Sequence, residues 1–350
     1  ALSIETIDEE HYRIGVHIAD VGAVILKNDA IDLEAQERTC TIYPGQGIKP
    51  YHMLPEPFST DICSLIPDVA RPAITVLFTI DDEFKIDDIK VKKTTIKSVK
   101  RFTYEEVQKI IDDDSSVGEL SERILLLFKF AKSLRRKRLK DAMFAFPVET
   151  KLNDTQSSVL NTKEAHYLVE EFMILANRCI AQYLWGVFPD VLPVRCQEAP
   201  SEEMVNKWIE QNNPIVNMVL KLQEVEPKRE FKIGLHQIQK PIRYRHVMPF
   251  QKWVWESLSE STKENDMKTA ARMIGTDELH PLQCLALEEW TSFQETTVYK
   301  CSGKCKREEM IHFSLDMDLY VHFTSPIRRY PDLIINRLIH AALESKQCPY

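Results

Sequence analysis

Glycine is scarce: nine occur in 350 residues. Neither G-x-G-x-x-G nor G-x-x-x-x-G-K-[ST] is present, so the chain has no glycine-rich cradle for a dinucleotide or a nucleoside triphosphate. H-E-x-x-H and G-x-S-x-G are absent as well, which removes the zinc-protease helix and the serine nucleophile elbow. No apolar run approaches the roughly 20 residues of a membrane-spanning helix; the stretch from Pro72 to Ile80 reads as a core strand. No signal-peptide pattern opens the chain. Positive charge is not in excess. The formal net charge is −8, the wrong sign for a protein that coats itself in nucleic acid, although a buried channel needs only local positive charge. The eight cysteines are scattered, at 40, 63, 179, 196, 284, 301, 305 and 348. That is no disulfide framework and fits a reduced intracellular setting, cytoplasmic or nuclear. Cys301 and Cys305 could begin a zinc site with His312, but a single C-x3-C reads more readily as ordinary thiols near a turn.

A chain of 350 residues is one large domain or two ordinary ones, long enough to bury about three quarters of its unfolded surface. Its first third reads as strands. Leu2 to Thr6 and Tyr12 to Val21 form a hairpin, with Tyr12, Ile14, Val16 and Ile18 on one face and Arg13, Gly15, His17 and Ala19 on the other. Asp29 can cap a short helix ending near Arg38, and Thr39 to Tyr43 reads as a strand that stops at the Pro44-Gly45-Gln46-Gly47 loop. A second hairpin runs from Arg71 to Ile80 and from Phe84 to about Val99. Its return strand carries Lys90, Lys92, Lys93 and Lys97, which suits a solvated edge strand better than a nucleic-acid face.

Helices dominate afterwards. Thr103-x-x-Glu106 is a capping box. Glu119 to Leu139 is helical, and Glu164 to Phe188 carries an apolar stripe wide enough for burial on most sides. Ala142 to Leu152 reads as a strand. From Ser201 to Trp290 the pattern is of medium helices broken at Pro214, Pro241, Pro249 and Pro281, and strands return near Thr297 to Lys300 and Met310 to Tyr320. Metal-assisted phosphodiester hydrolysis needs several converging carboxylates. The acidic pairs at Asp81-Asp82, Asp87-Asp88, Asp112 to Asp114 and Asp316-x-Asp318 sit at turn or solvent positions, so none is assigned to a metal.

The stretch from Tyr320 to Leu333 organises the rest. His322-Phe323-Thr324-Ser325-Pro326-Ile327-Arg328-Arg329-Tyr330 reads as a strand, a sharp turn and a helix start, with Ser325 as N-cap and Pro326 at the first helical position. Arg328 and Arg329 would then oppose the helix dipole, which is sensible if an anion binds there or if neighbouring acids pair with them. This stretch resembles the signature of the ribonuclease II (RNB) family of 3′→5′ exoribonucleases. Further matches follow in the family's order. They are Val16-His17-Ile18-Ala19-Asp20-Val21, then Met53-Leu54-Pro55 with Cys63-Ser64-Leu65, then Val169-Glu170-Glu171-Phe172-Met173 with Ala176-Asn177. The divergent middle, 192–290, most resembles the RNB module of the large helicase–zinc-finger coactivators of animals.

The resemblance implies a mixed α/β fold in which a curved, mostly antiparallel sheet and surrounding helices enclose an RNA channel, with 1–350 as one RNB catalytic domain. It implies single-stranded RNA as partner and two Mg²⁺ ions whose aspartate ligands lie just upstream of Ala1, none within the chain itself. Ala1 is not a natural start, so the sequence reads as an excised piece of something larger, joined to helicase, zinc-finger or oligonucleotide-binding domains and not to a membrane. By position, Arg328 matches the phosphate-contacting catalytic arginine, Arg329 beside it counts as a further RNA contact, and Glu170 matches a glutamate on the terminal nucleotide, counted with Arg328 as catalytic. Tyr43 and Tyr104 match RNA-contacting aromatics, and Phe144 the opposing clamp ring, for which Phe146 competes. His17 and Asp20 are mainly structural, Asp20 as an acceptor near the site. In two places the chain departs from the family: Asn336-Arg337 stands for His-Arg, and Pro331 for a small residue, at up to about 3 kcal/mol if the helix begins at Ser325. Two alternatives stand beside the nuclease: a module that holds RNA or docks protein without chemistry, and a purely structural domain.

Overall fold

Strand alternation in the first hundred residues builds a meander. β1 (Leu2–Thr6) pairs with β2 (His11–Ala19). A short helix, α1 (Ala30–Arg38), intervenes, capped by the Asp29 carboxylate on the Asp32 amide as expected. β3 (Ala70–Asp81) then pairs with β2, and β4 (Ile86–Lys97) with β3. All three pairings are antiparallel and the spatial order is β1-β2-β3-β4. The alternation sends Ile14, Val16 and Ile18 opposite Phe78, Val76 and Ile74, and all six are buried. β4 forms an edge. Its lysines face solvent and acids, with Lys90 2.8 Å from Asp88 and Lys93 2.7 Å from Glu344, the behaviour of a protected edge.

The computed structural model describes residues 1–8, 10–45, 47–113, 118–139, 163–225, 258, 260–274, 289–290 and 292–350. The expected strand at 142–152, with Phe144 and Phe146, lies outside them, as do Pro241, Pro249 and Pro281. The chain divides into two compact units, one drawn from 1–138, 151–197 and 297–350, the other from 139–150 and 198–296.

In the first unit, α2 (Tyr104–Asp112) starts at the expected capping box, with Thr103 and Glu106 bonded reciprocally. α3 (Glu119–Leu139) and α4 (Lys163–Trp185) follow. Phe130 of α3 and Phe172, Ala176 and Ile180 of α4 join the β2–β3 face in one buried cluster. Gln108 locks α2 to α4. Its side-chain oxygen accepts from the Glu164 and Ala165 amides at 3.1 and 3.2 Å, and its amide donates to the Glu164 carboxylate at 3.2 Å. A side chain from a neighbouring helix thus does the work of an N-cap for α4. β5 (Pro193–Cys196) and, later, β6 (Val298–Cys301) make a second, two-stranded antiparallel sheet. The last helix of this unit runs from Tyr330 to Leu343.

In the second unit, α5 (Glu202–Val225) continues through Pro214, where a break was expected. Trp208 and Trp290 pack edge to face at 6.3 Å, and Asn212 donates to Glu289 at 2.9 Å. Packing on the turn before the proline outweighs the one hydrogen bond it removes. α6 (Met267–Ile274) follows, which makes the Tyr330–Leu343 helix α7 of the chain.

Two further expectations change. Thr39 to Tyr43 forms only bridges, Cys40 with Arg329 and Ile42 with Tyr51. The expected strand from Met310 to Tyr320 is a pair of 3-10 turns, 307–310 and 313–315, reversed at Asp316 in the left-handed region (φ 52°) so that His312 and Met317 bond to each other.

Replacing Gln108 by alanine leaves two buried amides of α4 without their acceptor. Urea unfolding followed by far-UV circular dichroism will show a loss of about 1–3 kcal/mol.

Candidate functional site

The signature begins one turn earlier than its helix. Residues 326–328 form a turn in which the Ser325 carbonyl accepts from the Arg328 and Arg329 amides, both at 3.1 Å, and α7 starts only at Tyr330 with Pro331 in its first turn. Ser325 is therefore not the N-cap and Pro326 not the first helical residue. At its true position Pro331 removes no intrahelical bond, so the cost expected for it disappears. The turn is held from within. Asp332, with no solvent exposure, accepts from the Ser325 amide at 2.7 Å and from the Arg329 guanidinium at 2.7 Å. Burial pushes the Asp332 carboxyl up, and the Arg329 charge opposes it.

Two backbone bonds fasten this turn to a segment almost three hundred residues away. The Thr41 amide donates to the Arg328 carbonyl at 2.9 Å and the Tyr330 amide to the Thr39 carbonyl at 2.8 Å. Ile42 and Tyr51 then exchange bonds at 3.0 and 2.9 Å, making a ribbon on which Tyr43 is 60% exposed. The result is a cavity of about 260 Å³ lined by Tyr43 and Arg328 together with Ala1, His17, Leu65 and Ser325 among others. The lining thus includes one arginine, Arg328, and one exposed aromatic residue, Tyr43.

His17 lines that cavity but its ring is engaged. Nε2 lies 2.9 Å from the Ser3 hydroxyl and Nδ1 2.9 Å from the Thr75 hydroxyl. The ring also fills the space over Gly15, where a Cβ would stand 2.6 Å from Nε2; only glycine permits this approach. Burial pushes the His17 pKa down to about 4. Asp20 follows the cavity wall, yet its carboxylate turns away, accepting from the Ala23 amide at 3.2 Å and from His340 Nε2 at 2.6 Å.

The remaining expected residues occupy other places in the same unit. Glu170 is not among the cavity-lining residues; its carboxylate is 3.7 Å from Arg135, while Glu171 beside it takes Arg135 at 3.1 Å and Arg138 at 2.6 Å. Arg329 is held by Asp332 and also stands off the lining. Tyr104 stacks on His166 with ring centroids 3.7 Å apart and planes 14° from parallel. Burial raises its phenol pKa, and the charge of Arg328 acts in the other direction. Leu65, Thr324 and Ser325 belong to the lining. Their signal lay in the family motifs, but not as wall residues.

The departure at Asn336-Arg337 is structurally coherent. Asn336 Oδ1 accepts from the Gly22 amide at 2.8 Å, and Arg337 bonds to the Ile25 carbonyl at 3.1 Å and to Asp32 at 2.8 Å. Together they fix α7 to the 21–25 turn. The described wall does not by itself fit a hard divalent cation. No group of three or more His, Cys, Asp or Glu side chains is placed for a metal among the described residues, and the lining carries no carboxylate, whereas Mg²⁺ takes an all-oxygen shell.

The described geometry is thus an antiparallel sheet backed by helices, with Arg328 and the exposed Tyr43 lining one cavity. A family model, RNB domain, matches residues 1–345, and the chain belongs to that family. It is 30% identical over 345 residues to the exosome complex exonuclease dis3 of Schizosaccharomyces pombe, covering 95% of this chain and 31% of that protein. It is 26% identical over 350 residues to the 3′-5′ exoribonuclease HELZ2 of Mus musculus, covering 97% of this chain and 11% of that protein. Among solved structures it is similar to yeast Ssd1, a pseudonuclease (TM-score 0.67, 16% identity, 100% of this chain and 38% of that one). It is also similar to Mycoplasma genitalium RNase R in complex with ribose-methylated single-stranded RNA (TM-score 0.65, 24% identity, 97% and 47%). The chain thus spans less than half the length of each of these proteins. The family expected from the motifs and the mixed fold with an antiparallel sheet are both present.

Two predictions follow from this geometry. Pro331→Ala will change the unfolding free energy by less than about 1 kcal/mol, since the proline sits in the first turn of α7; a mid-helix proline would return about 3 kcal/mol on replacement. The second concerns acid. Burial pushes His17 down to about 4 and His312 to about 3, so below about pH 6.5 the unfolded chain takes up protons that the folded chain refuses. Stability will therefore decline as pH falls from about 6.5 toward 4. Proton NMR of the two imidazoles, beside urea midpoints across that range, checks both statements.

Proposed function

We propose that this chain is the RNA-gripping and phosphate-positioning part of a 3′→5′ exoribonuclease acting on single-stranded RNA and releasing nucleoside 5′-monophosphates. The observation that carries the reading is the cavity shared by Arg328 and Tyr43, two residues that match the family's phosphate and base contacts. Arg328 neutralises charge on the scissile phosphate and holds it in place. Tyr43 stacks on a base near the 3′ end, a contact worth about 1–3 kcal/mol that reads no sequence, as stepwise degradation requires. Glu170 and Tyr104 extend the contact to the terminal nucleotides, and Arg329 supports the turn through Asp332. His17, held neutral between two hydroxyls, and Asp20, bonded to His340, keep the wall in shape. The family resemblance implies Mg²⁺, which would supply an activated water when bound; the described lining holds no carboxylate to ligate it.

A second reading is equally compatible with a described lining that has no carboxylate. A module that keeps the grip and lacks the chemistry would have the same wall, and the fold does not choose, being shared with a pseudonuclease as well as with RNase R.

The deciding experiment uses the intact polypeptide that carries this chain, with 5′-labelled single-stranded RNA and Mg²⁺. A ladder shortening from the 3′ end is expected, slowed roughly 100- to 1000-fold by Arg328→Ala and bound roughly 5- to 150-fold more weakly after Tyr43→Ala. Binding without any ladder selects the second reading, and a ladder indifferent to Arg328→Ala removes the assigned role of that residue.

A further inference from the structure

One stacked pair lies outside the motifs that identify the family. Tyr104 is the first residue of α2 and His166 lies in the first turn of α4. Their rings lie nearly parallel, 14° apart in plane and 3.7 Å between centroids, while Tyr104 as a residue remains 41% exposed. One face of the ring is therefore occupied by imidazole, and the residue keeps a substantial exposed surface.

The pairing is imposed by the scaffold on both sides. On the α2 side, the Thr103–Glu106 capping box fixes the backbone at Tyr104. On the α4 side, Gln108 takes the amides of Glu164 and Ala165, the two residues before His166. Gln108 is 3% exposed and Glu164 8%, so the lock works in a dry environment where hydrogen bonds hold geometry firmly. A tyrosine at a helix start otherwise keeps rotamer freedom that base binding would have to remove. A ring already stacked on one face has lost that freedom before any ligand arrives.

We propose that His166 is a positioning residue: by stacking on Tyr104 it presents that ring as a rigid platform for one base of single-stranded RNA. This rests on the exoribonuclease reading of the cavity and adds a residue that does not itself touch RNA. Stacking needs a flat partner and no particular hydrogen bond, so the imidazole acts through its face. A planar apolar ring at 166 will do the same work.

The test measures dissociation constants for single-stranded oligoribonucleotide in the absence of turnover, and KM and kcat with Mg²⁺, on the intact polypeptide. His166→Ala is expected to weaken binding and raise KM roughly three- to tenfold, the range of an aromatic pair contact, with kcat unchanged. His166→Phe is expected to restore both to within about twofold. In a Tyr104→Ala background, His166→Ala is expected to have no further effect on RNA, whatever it does to the melting temperature. Equal affinities for wild type and His166→Ala overturn the proposal. So does failure of His166→Phe to rescue a correctly folded protein, or independent, additive losses from the two alanine substitutions. Arg328→Ala, run alongside, separates the levels. If it weakens RNA binding while Tyr104→Ala does not, the stacking proposal fails and the cavity reading survives; if Arg328→Ala changes nothing, the cavity reading fails first.

Discussion

The site depends on a carboxylate that never meets water. Asp332, fully buried, accepts from the Ser325 amide and the Arg329 guanidinium. Hydrogen bonds to a charged group hold more strongly than neutral ones, by about a factor of two, and an unpaired acid at this depth would be costly. The turn must therefore close around it. Closing consumes Arg329 as the counter-ion and leaves Arg328, one residue earlier, on the cavity wall. Two adjacent arginines thus have different fates. The same closure delays the helix to Tyr330, which is why a proline at 331 is harmless.

The second dependency is the backbone coupling of residues 39–41 to residues 328–330. Neither segment is a strand of a sheet, and each pairs for only one or two residues. That coupling nevertheless carries the Tyr43 ribbon to the backbone of Arg328, and both residues line the cavity. Its neighbours are built for rigidity. The His17 ring is clamped between two hydroxyls over a glycine, and Asn336 and Arg337 fix α7 to the 21–25 turn. Buried imidazoles stay neutral beside arginines: desolvation, then the charges of Arg329 and Arg195, drive the His322 pKa far down. An acidic protein of net charge −8 can therefore present positive charge locally without titrating away its own supports.

Much was legible beforehand, and for identifiable reasons. The β2 alternation, the Asp29 cap and the Thr103–Glu106 box are local, each needing only a few neighbours, and each stands where the sequence pattern placed it. The wide apolar stripe of α4 likewise announced a buried helix. Errors arose where a distant contact outweighed a local preference. Ser325 has the chemistry of an N-cap, but its carbonyl closes a turn onto the Arg328 and Arg329 amides and the helix starts only at Tyr330. Pro214 should end a helix, but Trp208 and Asn212 anchor the turn before it. The 310–320 segment alternates like a strand, yet Asp316 reverses it.

From residue order alone came the family, the strand-rich opening, the helical middle and the identity of Arg328 and Tyr43 as residues to watch, because motifs, caps and periodicities are written within a few positions of one another. Which residues share a cavity was decided only in three dimensions. Arg328, Tyr43 and His17 meet there; Glu170 pairs with Arg135 elsewhere in the same unit, and His166 lies flat against Tyr104. Such encounters join positions separated by tens to hundreds of residues. They are selected by burial of acids and rings that no short window of sequence contains.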